Sequence, residues 1–216
     1  MEAITENLAL FGGGFLVSLQ LCLWGMVGAL LAGTLIAACR VCPVPPLRRF
    51  GSAWVTVVRN CPLTVVLFFF AFGLPEIGVN GSYWVFGIAA LVVYTSAFVC
   101  EAVRAGINSV PTGQAEAARA LGLTFAQSLS QIVLPQAFRS SIPPLGSVLI
   151  AMFKNSAVVG AFGVGRDLFS VGESLTSAKG YAVTPVLLGV AAGYLLITLP
   201  AGGLLAVAEH RSAIVR

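Results

Sequence analysis

A chain of 216 residues with 58% hydrophobic and only 9% charged side chains falls outside the composition of soluble globular domains. Its net charge of +4 is not a nucleic-acid signal, because the basic residues are spread over loops and form no single face. The composition excludes a soluble fold and predicts one all-α, polytopic transmembrane helical bundle over residues 1–216.

In chain order, "MEAITENLALF" is acidic and lacks the basic n-region of a cleaved signal peptide, so the first apolar run is expected to be a retained span. Runs of about 20 apolar residues cross the hydrocarbon. Five are predicted: Gly14–Ala38, Val55–Phe72, Tyr83–Val103, Ile142–Phe162 and Val183–Val207. "CPVPPL", "GLPEIGVNG" and "KGYAVTP" mark connections through their Gly and Pro. In the fifth span, Gly189 and Gly193 form a GxxxG that points to a subunit interface. Cys39 and Cys42 make a lone CxxC; with His210 the only histidine, they read as reduced thiols and no metal site is expected.

Lys and Arg set the expected orientation. Arg40, Arg48, Arg49, Arg59, Arg104, Arg119, Arg139, Arg211 and Arg216 fall on one side, nine of the twelve basic residues. Arg166 and Lys179 fall on the other, and Lys154 lies within a span. The positive-inside rule then places the N-terminus outside and the C-terminus in the cytoplasm. No internal repeat is evident, whereas complete secondary transporters are commonly built from paired repeats. So small a chain is expected to complete a pathway by pairing with another subunit.

One polar stretch, about residues 109–138, stands apart from its apolar surroundings. "GQAEAARALG" is rich in helix formers, with Thr112 and Gln114 near its start and Gly122 as a terminator. "TFAQSLSQIVL" follows, with Phe125, Leu129, Ile132 and Val133 at helical spacing, and Pro135 is read as its stop. Helix, glycine bend, helix, proline stop describes either an interfacial hairpin or a docking knob for another protein. The segment lacks the Lys/Arg-rich face of an interfacial helix, and the alanines near Glu116 leave a smooth surface for close packing.

Within the spans, Lys154 lies eleven residues past Pro143, roughly 17 Å along a helix and near the midplane. Lys154, Asn155 and Ser156 could hold an amino-acid carboxylate, or Lys154 could bond backbone carbonyls or a partner acid. The hydroxyls of Thr95 and Ser96 are open to the same two readings, ligand contact or helix packing. Glu101 and Arg104, three apart, read as an interfacial pair, and Arg59 as a snorkelling side chain.

"EAARALGLTFAQSLSQIVLP" resembles the EAA loop of ABC importer permeases at Glu116, Ala117, Ala118, Gly122, Ile132, Leu134 and Pro135. "RNCPLTVVLFFFAFGLP", "SAFVCEAVRAGINSVPTGQ" and "FKNSAVVGAFGV" are similar to further motifs of the polar amino-acid (glutamate/glutamine-type) permeases, in the same order. Cys61 departs from a usual Thr, which puts only that hydroxyl's local hydrogen bond in doubt.

The resemblance implies a multi-pass permease of the bacterial inner membrane that is not itself an enzyme. Glu116, Ala117, Ala118, Arg119, Gly122 and Pro135 would belong to the segment that couples to a cytoplasmic ABC ATPase dimer. It also implies a second permease chain, like or unlike, and an extracytoplasmic amino-acid-binding protein, within membrane lipid. Consistent with that division of labour, the sequence holds no GxxxxGK[ST]. No cofactor is expected in this chain; ATP-Mg would serve the partner ATPase. The alternative is an ion-gradient-driven carrier or channel, which would call for paired acidic or histidine residues inside the spans.

Overall fold

In the computed structural model, residues 2–164 and 166–212 are described, and Arg216 and its neighbours lie outside that range. Among the described residues all regular structure is helical. A short α1 (Glu2–Thr5) leads into α2 (Leu8–Val41), α3 (Pro45–Asn60), α4 (Leu63–Glu76), α5 (Tyr83–Asn108), α6 (Thr112–Ala120), α7 (Phe125–Gly163), α8 (Leu168–Glu173) and α9 (Val183–Ser212). α2, α5, α7 and α9 are each long and apolar enough to cross a bilayer, and the bent pair α3–α4 makes a fifth if the two are counted as one span.

In lipid, helices gain little from apolar contact alone, so small residues that admit close backbone approach decide which helices pair. α2 and α5 pair this way: a Cβ on Gly33 would stand 2.7 Å from the Ser96 carbonyl oxygen. Leu21, Leu67, Leu91, Met152 and Val159 fill the space between α2, α4, α5 and α7. A second cluster, Ile36, Ala37, Val55, Val58, Ala97 and Cys100, packs α3 on α2 and α5. At the opposite end Phe11, Leu168, Val171, Leu175, Val186 and Val190 hold α8 between α2 and α9.

Three expectations change. The second span is not a single run from Val55 to Phe72: α3 and α4 meet at 102° across Cys61 and Pro62. Pro62 cannot donate an N–H and biases Cys61 to extended backbone (φ −91°, ψ 131°), so the helix ends and restarts in a new direction. Pro135 does not stop its helix. A π-turn over Ser128–Val133 precedes it, in which the Leu134 N–H donates to the Leu129 carbonyl. Pro135 then occupies the first turn of the following α-segment, where its missing N–H costs little. The expected fourth span at Ile142–Phe162 is therefore the far part of a helix that already begins at Phe125. Finally, Gly189 and Gly193 face inward, against Phe11 and Leu168, and serve packing within the chain.

Candidate functional site

The α6–α7 hairpin is built by local rules. Gly122, at φ +84°, closes α6: its N–H donates to the Arg119 carbonyl at 2.9 Å, and the Leu123 N–H to the Ala118 carbonyl at 3.1 Å. Two residues later Thr124 opens α7. Its Oγ1 accepts from the Gln127 N–H at 3.3 Å, and its N–H donates to Gln127 Oε1 at 2.9 Å, a reciprocal capping box. Two strong terminators back to back leave a bend of fixed shape.

Ala118 is buried where the arms meet, whereas Glu116, Ala117, Arg119, Gly122 and Pro135 are exposed. The knob's apolar tips point outward: Leu121 is 82% and Phe125 79% exposed. Phe125, at helical spacing with Leu129, Ile132 and Val133, lies on the outside of the knob. Between the arms, Gln114, Gln131, Ile132, Pro135, Gln136 and Arg139 line a cleft of about 360 Å³. The hairpin thus exposes one acid and two large apolar side chains.

A second site lies between α5 and α7. Tyr94, Thr95, Phe98, Ser147, Val148, Ala151 and Asn155 line a cavity of about 370 Å³. Thr95 Oγ1 is buried there without a hydrogen-bond partner, a state that costs free energy unless something completes it. Ser96 is not part of this cavity. It is fully buried, accepts from Trp54 Nε1 at 3.1 Å and donates to the Val93 carbonyl at 2.7 Å. Ser156 is likewise buried, donating to the Phe153 carbonyl at 2.8 Å. Lys154 is exposed on the side of α7 that also exposes Ser147 and Ala151, and no carboxylate among the described residues pairs with it. The fold therefore brings Thr95 and Asn155 together, leaves Lys154 at the rim, and commits Ser96 and Ser156 to packing.

Where α5 leaves the bundle, Glu101 does more than pair with Arg104. Its carboxylate accepts from Arg104 Nη2 at 2.9 Å and from Arg40 Nη1 of α2, with Arg59 Nη1 of α3 3.8 Å away. Arg59 also lies over the Phe98 ring, 5.5 Å from its centroid. One acid joins three helices beside the knob.

Sequence reasoning passed over Asp167, which is fully buried at the N-terminus of α8. Its carboxylate accepts from the Phe169 N–H at 3.0 Å, the Ser170 N–H at 3.3 Å and the Ser170 hydroxyl. Next to it, Ser18 Oγ of α2 accepts from the Leu168 N–H at 3.0 Å, and Ser170 Oγ lies 3.2 Å from the Gly160 carbonyl it donates to. The signal was present as Asp followed three residues later by Ser at the head of an apolar turn, a helix-start pattern hidden in a loop.

Comparison with known proteins agrees with this geometry. The family described as "Binding-protein-dependent transport system inner membrane component" matches residues 29–213. The "Probable glutamine ABC transporter permease protein GlnM" of Bacillus subtilis (strain 168) is 39% identical over 200 residues, covering 93% of this chain and 92% of its own. The "Glutamate transport system permease protein GluC" of Corynebacterium efficiens is also 39% identical, covering 87% of each chain. Among solved structures, "Crystal structure of an amino acid ABC transporter with histidines" superposes with a TM-score of 0.90 at 33% identity over 96% of both chains.

Proposed function

The chain belongs to the binding-protein-dependent transport system inner membrane components, and we propose that it forms, with a second permease chain, the route by which a separate ATPase drives glutamate or glutamine across the membrane. It is a multi-pass inner-membrane permease of the ABC importer type, not a gradient-driven carrier. The amino-acid class rests on the names of its relatives, which are glutamine and glutamate permeases. In this reading the knob faces the cytoplasm and the N-terminus lies outside, as the arginine distribution implies.

The observation that carries the coupling role is that one hairpin exposes Leu121, Phe125 and Glu116 together. Left in water, each tip forgoes about 1.5–3 kcal/mol that burial in a partner would recover. The ATPase would receive this knob, and ATP-Mg would be used there. An extracytoplasmic binding protein would deliver the amino acid to the opposite face. Inside, Thr95 and Asn155 would contact the passing substrate, with Lys154 exposed on the same side of α7.

The test is a reconstituted transporter carrying Glu116→Lys. ATPase co-purification is expected to be lost while the permease still inserts and folds; normal ATP-driven uptake in this variant would remove the coupling role. In parallel, Asn155→Ala is expected to cut uptake about tenfold, the loss of one good polar contact, with subunit assembly intact. Unchanged uptake and unchanged substrate-stimulated ATP turnover would place the substrate path elsewhere.

A further inference from the structure

α3 belongs neither to the coupling knob nor to the α5–α7 cavity, and it is the most strongly two-faced helix of the chain. Around its axis Gly51, Val55 and Val58 are buried against α2 and α5. A second stripe, Phe50, Ala53 and Val57 at i, i+3, i+7, is apolar yet exposed. The third face holds Arg48, Arg49, Ser52 and Thr56, all polar. α3 contains no acidic residue, and among the described residues no carboxylate pairs with Arg48 or Arg49.

The geometry places this helix at a definite depth. α4, Leu63–Glu76, reaches only roughly 21 Å at about 1.5 Å per residue, short of a hydrocarbon core about 30 Å thick. If α4 meets the far interface, Pro62 lies several Å inside the near one. A helix leaving Pro62 at 102° then runs along the boundary between acyl chains and headgroups. At that depth Phe50, Ala53 and Val57 meet acyl chains, and the guanidinium groups of Arg48 and Arg49 reach phosphates.

We infer that α3 is a binding surface for anionic phospholipid headgroups, with Arg48 and Arg49 as their counter-ions. A bilayer surface satisfies both groups at once: acyl chains take Phe50, Ala53 and Val57, and phosphates take Arg48 and Arg49. The surface also has a route into the bundle: Gly51, Val55 and Val58 seat α3 on α2 and α5, and Arg59 at its last turn stands beside Glu101. Anionic lipid under α3 therefore steadies the junction from which the knob departs.

The test uses the full-length chain extracted from vesicles of equal phosphatidylglycerol and phosphatidylcholine, with retained lipid counted by native mass spectrometry. Wild type is expected to enrich phosphatidylglycerol. Arg48→Gln with Arg49→Gln lowers that enrichment about tenfold, in keeping with the contribution of a basic residue near an anionic surface. The charge-preserving pair Arg48→Lys and Arg49→Lys keeps it, which separates charge from misfolding. Arg166→Gln, at the other end of the bundle, leaves it unchanged. Equal retention of the two lipids by wild type, full enrichment in the Gln pair, or an equal loss in Arg166→Gln would each overturn the assignment. Loss of ATPase co-purification with enrichment intact would show α3 to be a protein contact instead, and would likewise overturn it.

Discussion

Each end of the bundle holds a carboxylate in place, and the two are held by different means. At the knob end Glu101 is surrounded by guanidinium groups from α2, α3 and α5 and is still partly open to water. At the other end Asp167 is sealed from water and satisfied mainly by two N–H groups and a hydroxyl of its own helix. The first arrangement joins elements far apart in sequence through charges that can exchange partners. The second makes a local cap that has no second arrangement to move to. The chain's first residues reinforce the fixed end, through Lys179 Nζ on Asn7 Oδ1 at 2.9 Å and the Tyr181 hydroxyl on Glu6 Oε2 at 2.8 Å.

The contrast can be tested in descending order of effect. Glu101→Ala leaves three guanidinium groups facing one another without a counter-charge, and is expected to cost about 2 kcal/mol, less than a fully buried cluster because water reaches it. Fluorescence-detected gel filtration after heating should show a lower midpoint; an unchanged midpoint would mean the ion cluster does not join the helices. Asp167→Ala orphans two N–H groups at a buried helix start and is expected to cost about 2 kcal/mol. Asp167→Asn, which still accepts hydrogen bonds, should recover part of that loss, and no recovery would argue against the cap. The smallest effect is that of salt. Raising ionic strength from about 0.15 M to about 1 M shortens the screening length from roughly 8 Å to roughly 3 Å. It should narrow the gap between wild type and Glu101→Ala while leaving the gap to Asp167→Ala in place; a parallel shift of both would erase the distinction.

Much of this was legible in the residues. Hydropathy located the crossings, and Gly122 announced its bend, because a helix closing at φ +84° suits glycine. The remainder was hidden for physical reasons. α3 begins with Pro45 and Pro46 at its first turn, so the prolines that looked like a connection start a helix. Its polar residues alternate with apolar ones that continue into α4, so hydropathy merged two directions into one span. Pro135 was misleading because a π-turn, which no local propensity reveals, absorbs its ring. For the cavity, the sequence offered Thr95, Ser96, Lys154, Asn155 and Ser156 as candidates. Only side-chain direction separated Thr95 and Asn155 from Ser96 and Ser156, whose hydroxyls bond their own helices.

α7 runs from Phe125, at the knob, through the π-turn at Ser128–Val133 and past Pro143 and Pro144 to Val159, beyond the cavity. Some 45 Å of it separate Phe125 from Asn155, at about 1.5 Å per residue. Because the helix is continuous through that turn and those prolines, its pitch fixes how residues at its two ends face relative to each other. One residue inserted between Ser147 and Ala151 would swing Asn155 by about 100° against the knob. Asn155 would then turn away from Thr95 and the cavity would lose its amide.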